Sequence, residues 1–212
     1  MLAAAIGFGA AAGVSAHRLD EYLQAARIAI DPGGVKIEMS LTPGVAVADA
    51  IIAEIDRDRD GTLSRDEQRA YASTVVNGTM VEVDGMAVRT QLGAYDFPDL
   101  GSMKRGEAAI AIQWTVMFPR PPAGAHRLTF RNHHHPDASV YLANALVPES
   151  DDVAVTAQQR DRTQSELTIE YVLRARPSGS AAWLVGIGAA ALLVSAALLT
   201  RSAIRLRWRT TL

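Results

Sequence analysis

Strict alternation of apolar and polar side chains runs through the centre of this chain. Val35, Ile37, Met39 and Leu41 are apolar, and Lys36, Glu38 and Ser40 between them are polar. A period of two puts one set on one face of an extended strand and the other set on the opposite face. Ile110, Ile112, Trp114, Val116 and Phe118 repeat the pattern, as do Leu167, Ile169, Tyr171 and Leu173. Shorter runs lie at 22–30, 80–84, 86–92, 126–131 and 153–158. Asp31-Pro32-Gly33-Gly34, Asp84-Gly85 and Pro121-Pro122-Ala123-Gly124 supply turns between several of them. About seven or eight short strands with such turns predict a mainly β domain over residues 17–176, an immunoglobulin-like sandwich.

One stretch, 43–77, breaks this rhythm. Thr42-Pro43 reads as an N-cap followed by proline at the first helical position. Val47, Ile51 and Ile55 then recur every four residues, with Ile52 widening the stripe. A second helix, roughly Arg65 to Val76, carries Tyr71 and Val75 on one face and stops at Asn77-Gly78, residues suited to a left-handed helix end. Between the helices runs Asp56-Arg57-Asp58-Arg59-Asp60-Gly61-Thr62-Leu63-Ser64-Arg65-Asp66-Glu67, which fills every position of an EF-hand loop. Calcium is a hard cation that takes oxygen ligands. Asp56, Asp58 and Asp60 each offer a carboxylate, Thr62 its carbonyl, Ser64 a water-mediated contact and Glu67 a bidentate carboxylate. Gly61 permits the sharp bend, and Leu63 is expected to point to the core. Ser64 and Glu67 also have capping-box spacing, so Glu67 is a candidate for both helix cap and metal ligand. Five acidic residues against three arginines leave the loop at −2, which points to the weak end of calcium affinity, about 10⁻⁴–10⁻³ M. No second loop of this kind exists in the chain, so the helix pair is expected to dock on the β-domain or on another copy. A structural staple and a calcium-responsive switch are both open readings.

The two ends are apolar. Met1 to Ala16 are small or apolar and finish Val14-Ser15-Ala16, which fits a signal peptide cleaved after Ala16, although no basic residue precedes the run. A buried N-terminal helix is the alternative. From Ala181 to Thr200 there is no charge, enough for a transmembrane helix of about 30 Å. Arg201, Arg205, Arg207 and Arg209 follow, and the positive-inside rule assigns the 201–212 tail to the cytoplasm. Residues 177–180, Pro-Ser-Gly-Ser, read as a stalk. Arginine far outnumbers lysine, which occurs only at 36 and 104, as in GC-rich bacterial genomes. The expectation is a single-pass bacterial inner-membrane protein with its domain in the periplasm and a membrane or periplasmic protein as partner.

A net charge of −2 provides no basic field for nucleic acid. The absence of cysteine removes disulfides and thiolate chemistry. No nucleophile elbow, phosphate loop or His-Glu-x-x-His helix is present, so no enzyme is expected. Five histidines occur, three in succession: His133, His134 and His135. On a strand, His133 and His135 would share a face near Asp137 and His126, a possible second site for nickel, copper or zinc; a solvated turn before Pro136 is the plainer reading. His17 would become the mature N-terminus, where amine and imidazole chelate copper.

The stretch from Ala16-His17-Arg18-Leu19 to Gln24, Leu41-Thr42-Pro43-Gly44-Val45, the loop itself, Asn132-His133-His134, Tyr141-Leu142, Leu146-Val147-Pro148 and Thr156-Ala157-Gln158 together resemble a group of bacterial exported EF-hand proteins. The Ala-His start is also similar to exported regions of hydrogenase/urease accessory membrane proteins of the HupE/UreJ type. That likeness implies nickel handling. Those proteins are multi-pass, so their transport role is not implied for a chain with one span.

Overall fold

The computed structural model describes residues 20–175. The expectations for 1–16, His17, 177–180, 181–200 and 201–212 lie outside them. Among the described residues no helix is long and apolar enough to cross a membrane.

The chain is mainly β. In order it forms β1 (Tyr22–Asp31), β2 (Gly34–Pro43), α1 (Val45–Ile55), α2 (Arg65–Asn77), β3 (Thr79–Val83), β4 (Met86–Ala87), β5 (Thr90–Asp96), α3 (Leu100–Lys104), β6 (Ile110–Met117), β7 (Gly124–Asn132), β8 (Ser139–Ala145), β9 (Val153–Arg160) and β10 (Glu166–Leu173). These make two five-stranded sheets, ordered β5-β6-β2-β1-β8 and β4-β3-β7-β10-β9. Neighbours are antiparallel except β1 and β8, which run parallel from Tyr22 opposite Ser139 to Ile28 opposite Ala145. The alternating residues do what their period dictates. Val35, Ile37, Met39 and Leu41 on β2, Ile110, Ile112, Trp114 and Val116 on β6, and Leu167, Ile169, Tyr171 and Leu173 on β10 are all buried in one shared core.

Among the described residues ten strands stand where seven or eight were expected. β8 was not foreseen, and the run 86–92 divides between β4 of one sheet and β5 of the other. The first helix starts later than Thr42-Pro43 implies. Pro43 closes β2 opposite Tyr22, and Gly44 is the N-cap, with no side-chain cap. Nor does α2 end left-handed: Gly78 has φ −75° and ψ −3°. Its lack of a side chain serves close approach instead. A Cβ there would lie 3.1 Å from the His134 Cβ and 3.3 Å from the Val75 carbonyl oxygen.

The helix pair docks on its own β-domain. Ile51, Ile52 and Ile55 of α1 and Tyr71, Ala72, Val75 and Val76 of α2 join the sandwich core. Their junction lies at the end where β1 and β10 begin. There the Tyr71 and Tyr22 hydroxyls are 2.8 Å apart, the His133 amide donates to the Gly78 carbonyl at 2.8 Å, and the Asn132 amide donates to the Ser165 carbonyl just before β10. The eight residues of β10, rising about 3.3 Å each, carry the chain to the opposite end, where Leu173 faces Gly124 and Val153.

Candidate metal centre

Asp56 caps α1: its amide donates to the Ile52 carbonyl at 2.8 Å and its side chain turns into the loop, leaving the residue buried. Its Oδ1 accepts from the Asp60 amide and its Oδ2 from the Gly61 amide, both at 3.1 Å. Asp58 Oδ1 also accepts from the Asp60 amide, at 3.2 Å. Asp60 Oδ1 accepts from the Thr62 amide and hydroxyl, both at 2.7 Å. Backbone donors thus fold the loop around its own carboxylates. The fold requires left-handed residues at two points, Arg59 with φ 59° and Gly61 with φ 82°. A Cβ on Gly61 would meet nothing within 4 Å, so glycine is needed there for its dihedral freedom and not for room.

One carboxylate oxygen from each of Asp56, Asp58 and Asp60 lies within 4.8 Å of the others. Among the described residues none of the three is ion-paired; Arg57, Arg59 and Arg65 form no salt bridge with them. Three negative groups held together by backbone geometry repel one another. A divalent cation relieves that repulsion, and an all-oxygen donor set suits a hard one. The donor type of these three residues therefore suits a hard divalent cation.

Glu67 stands apart from this trio. Its Oε2 accepts from the Ser64 amide at 2.9 Å and from the Ser64 hydroxyl at 2.7 Å, and its Oε1 accepts from the Arg57 amide at 2.8 Å. The Ser64 hydroxyl bond, then the Ser64 amide, hold the Glu67 carboxyl below the usual carboxylate range. With Ser64 Oγ accepting from the Glu67 amide, the capping box of α2 is complete. Of the expected ligand set, then, the structure gathers Asp56, Asp58 and Asp60, ties Thr62 to Asp60, and engages Ser64 and Glu67 with each other. Leu63 packs against the core, and the Gln68 side-chain amide donates to its carbonyl at 2.8 Å.

The histidines do not form a strand face. β7 ends at Asn132, and the three successive histidines make a turn in which His135 takes φ 51°. His133 is exposed, and His135 Nε2 lies 2.9 Å from Glu54 Oε2 on α1. His126 sits elsewhere, with Nδ1 2.8 Å from Asp84 Oδ2 and Nε2 2.8 Å from the Pro122 carbonyl. Both nitrogens face acceptors, so the imidazolium satisfies both bonds. Burial opposes that charge, but the Asp84 bond and the Pro122 carbonyl outweigh it and raise the His126 pKa. Among the described residues no group of three metal-competent side chains gathers around His133 and His135.

The middle histidine is the one built into the fold. His134 is 6% exposed, and its Nε2 lies 3.2 Å from the Tyr71 hydroxyl. Its amide donates to Asn132 Oδ1 at 3.0 Å, and its carbonyl accepts from the Gln24 side-chain Nε2 and the Tyr141 hydroxyl, both at 2.8 Å. Burial, followed by the neighbouring His135, pushes its pKa down to about 4. A polar chain from Tyr22 through Tyr71 to His134 thereby links β1, α2 and the β7–β8 turn. Nothing in the His-His-His run singles out its centre, and the reading by strand alternation favoured the two flanking residues. Comparison with protein-family models, curated proteins and solved structures gives no match.

Proposed function

We propose that this chain is a membrane-anchored, periplasm-facing module that binds calcium through the α1–α2 loop and uses the ion to hold the helix pair on the β-domain. The observation that carries the reading is the convergence of the Asp56, Asp58 and Asp60 oxygens within 4.8 Å, on a loop bent at Gly61, with no salt bridge to any of the three among the described residues. Glu67 would complete the ligand set by giving up part of its hydrogen bonding to Ser64. The role is structural or interactive and not enzymatic. Loop charge favours affinity at the weak end, about 10⁻⁴–10⁻³ M. The anchor is residues 181–200, the tail 201–212 is cytoplasmic, and the membrane is the bacterial inner membrane. Two five-stranded sheets around one core support an immunoglobulin-like class for the sandwich.

Isothermal titration of the full chain in mild detergent tests the reading. Calcium is expected to bind once per chain, and Asp56→Ala is expected to abolish the heat. Unchanged binding in Asp56→Ala would remove the loop from the account.

A further inference from the structure

The three most exposed large apolar side chains among the described residues are Val147 (90%), Met117 (72%) and Met86 (70%). All three occupy one end of the sandwich. Met117 faces Gly34 at the β1–β2 turn. Val147 follows Leu146, whose amide donates to the Ile28 carbonyl near the end of β1. Met86 pairs with Val83, next to Asp84, whose amide donates to the Arg127 carbonyl near the start of β7. The same end is where β10 delivers the chain to Arg174. The loop bearing Val147 is tied to that exit. The Arg174 amide donates to the Asp152 carbonyl at 2.8 Å, and Arg120 bridges the Asp152 carboxylate and the Arg174 carbonyl, each at 2.9 Å. Leu146, Val147, Pro148 and Arg174 line one open depression of about 430 Å³.

We propose that this end of the domain rests on the lipid bilayer, with Val147 and Met117 in its interfacial layer. The inference rests on the anchor proposed at 181–200. Only residues 174–180 separate β10 from that segment, and seven residues reach at most about 25 Å when fully extended. The end carrying the exposed apolar side chains is therefore the end held near the membrane. Apolar side chains gain from leaving water for the interface. Lys36, Arg120, Arg127 and Arg174 share this end with Asp31, Asp84, Glu149, Asp151, Asp152 and Glu170, so the balance of charge gives no reason for docking to need anionic lipid.

The chain has no cysteine, so single-cysteine labelling is clean. Val147→Cys, Met117→Cys and, at the opposite end, Arg69→Cys at an exposed position of α2 would each carry an environment-sensitive fluorophore in the full chain reconstituted into phosphatidylcholine vesicles. Expected are blue-shifted emission at 147 and 117, quenching there by doxyl-labelled lipid, and water-like emission at 69. Added anionic lipid should strengthen none of these. If the chain floats with the vesicles yet 147 and 117 emit like 69, docking is overturned and the anchor stands. If the chain does not float, both fail. A blue shift without lipid quenching means that a protein covers the patch, which also overturns lipid docking.

Discussion

Replacing His134 with glutamine should flatten the acid limb of the stability profile. The unfolded imidazole titrates near its ordinary value of 6.5, whereas burial holds it at about 4 in the fold. A depressed folded pKa means that the unfolded chain binds the proton more readily between these values. Stability is therefore full above about pH 6.5 and falls as pH drops toward 4. At pH 4.5 the linkage amounts to about 2.5 kcal/mol, and to about 3 kcal/mol at pH 4. Glutamine keeps a polar group opposite the Tyr71 hydroxyl and carries no titrating site. His126 works in the opposite sense, because its raised pKa contributes stability at low pH that is lost as pH rises through its folded value. The lowered carboxyls of Glu38, Glu67, Asp84, Asp99 and Asp161 lose their contributions as pH falls through their own folded values, in the acid range. Both backgrounds cancel in the difference between the two proteins. Urea unfolding at pH 7 and pH 4.5 should show wild type losing about 2.5 kcal/mol more than His134→Gln. Equal losses would mean that His134 is not buried and neutral, and the network joining α2 to the sandwich would fall with it.

Gly78→Ala should destabilise the fold by about 1–2 kcal/mol in the same assay. The backbone there is right-handed, so alanine would otherwise gain slightly, but its Cβ meets a His134 held by Gln24, Tyr71, Asn132 and Tyr141; a stabilised variant would show that the turn can give way. Tyr171→Phe should be neutral or raise stability by about 1 kcal/mol, since its buried hydroxyl has no partner. Glu67→Gln should weaken calcium binding at least tenfold and also loosen the α2 cap, read as calcium affinity by titration and as helicity by circular dichroism. Unchanged affinity would limit Glu67 to capping.

Much of this was legible in the residues. The alternation in β2, β6 and β10 survives because both sheets bury one face against one core, and helix periodicity found α1 and α2 because their apolar stripes dock on that core. β8 escaped because only Tyr141 and Ala143 of its seven residues are buried, and alanine barely marks a face. The 86–92 run hid a change of sheet. Only β5 continues it, and β5 is half exposed, with a register shift at Leu92–Tyr95 around Gly93, where a Cβ would meet the Gln113 carbonyl at 3.1 Å. α3 is five residues long, too short for a period, and is held by its Asp99 cap on the Ser102 amide at 2.9 Å. Within the candidate site, spacing located the three aspartates and the glycine bend. It could not say that Glu67 would lie on Ser64 and Arg57, because two uses of one carboxylate share the same spacing. The burial of His134 depends on where β8 returns, a long-range fact with no local signature.

Unfolding free energy of the full chain, measured with excess chelator and then with about 10 mM calcium, addresses the calcium reading most directly. A site of about 10⁻⁴–10⁻³ M affinity should add about 1.4–2.7 kcal/mol, and Asp56→Ala should erase the gain. Identical unfolding curves with chelator and with calcium would contradict it.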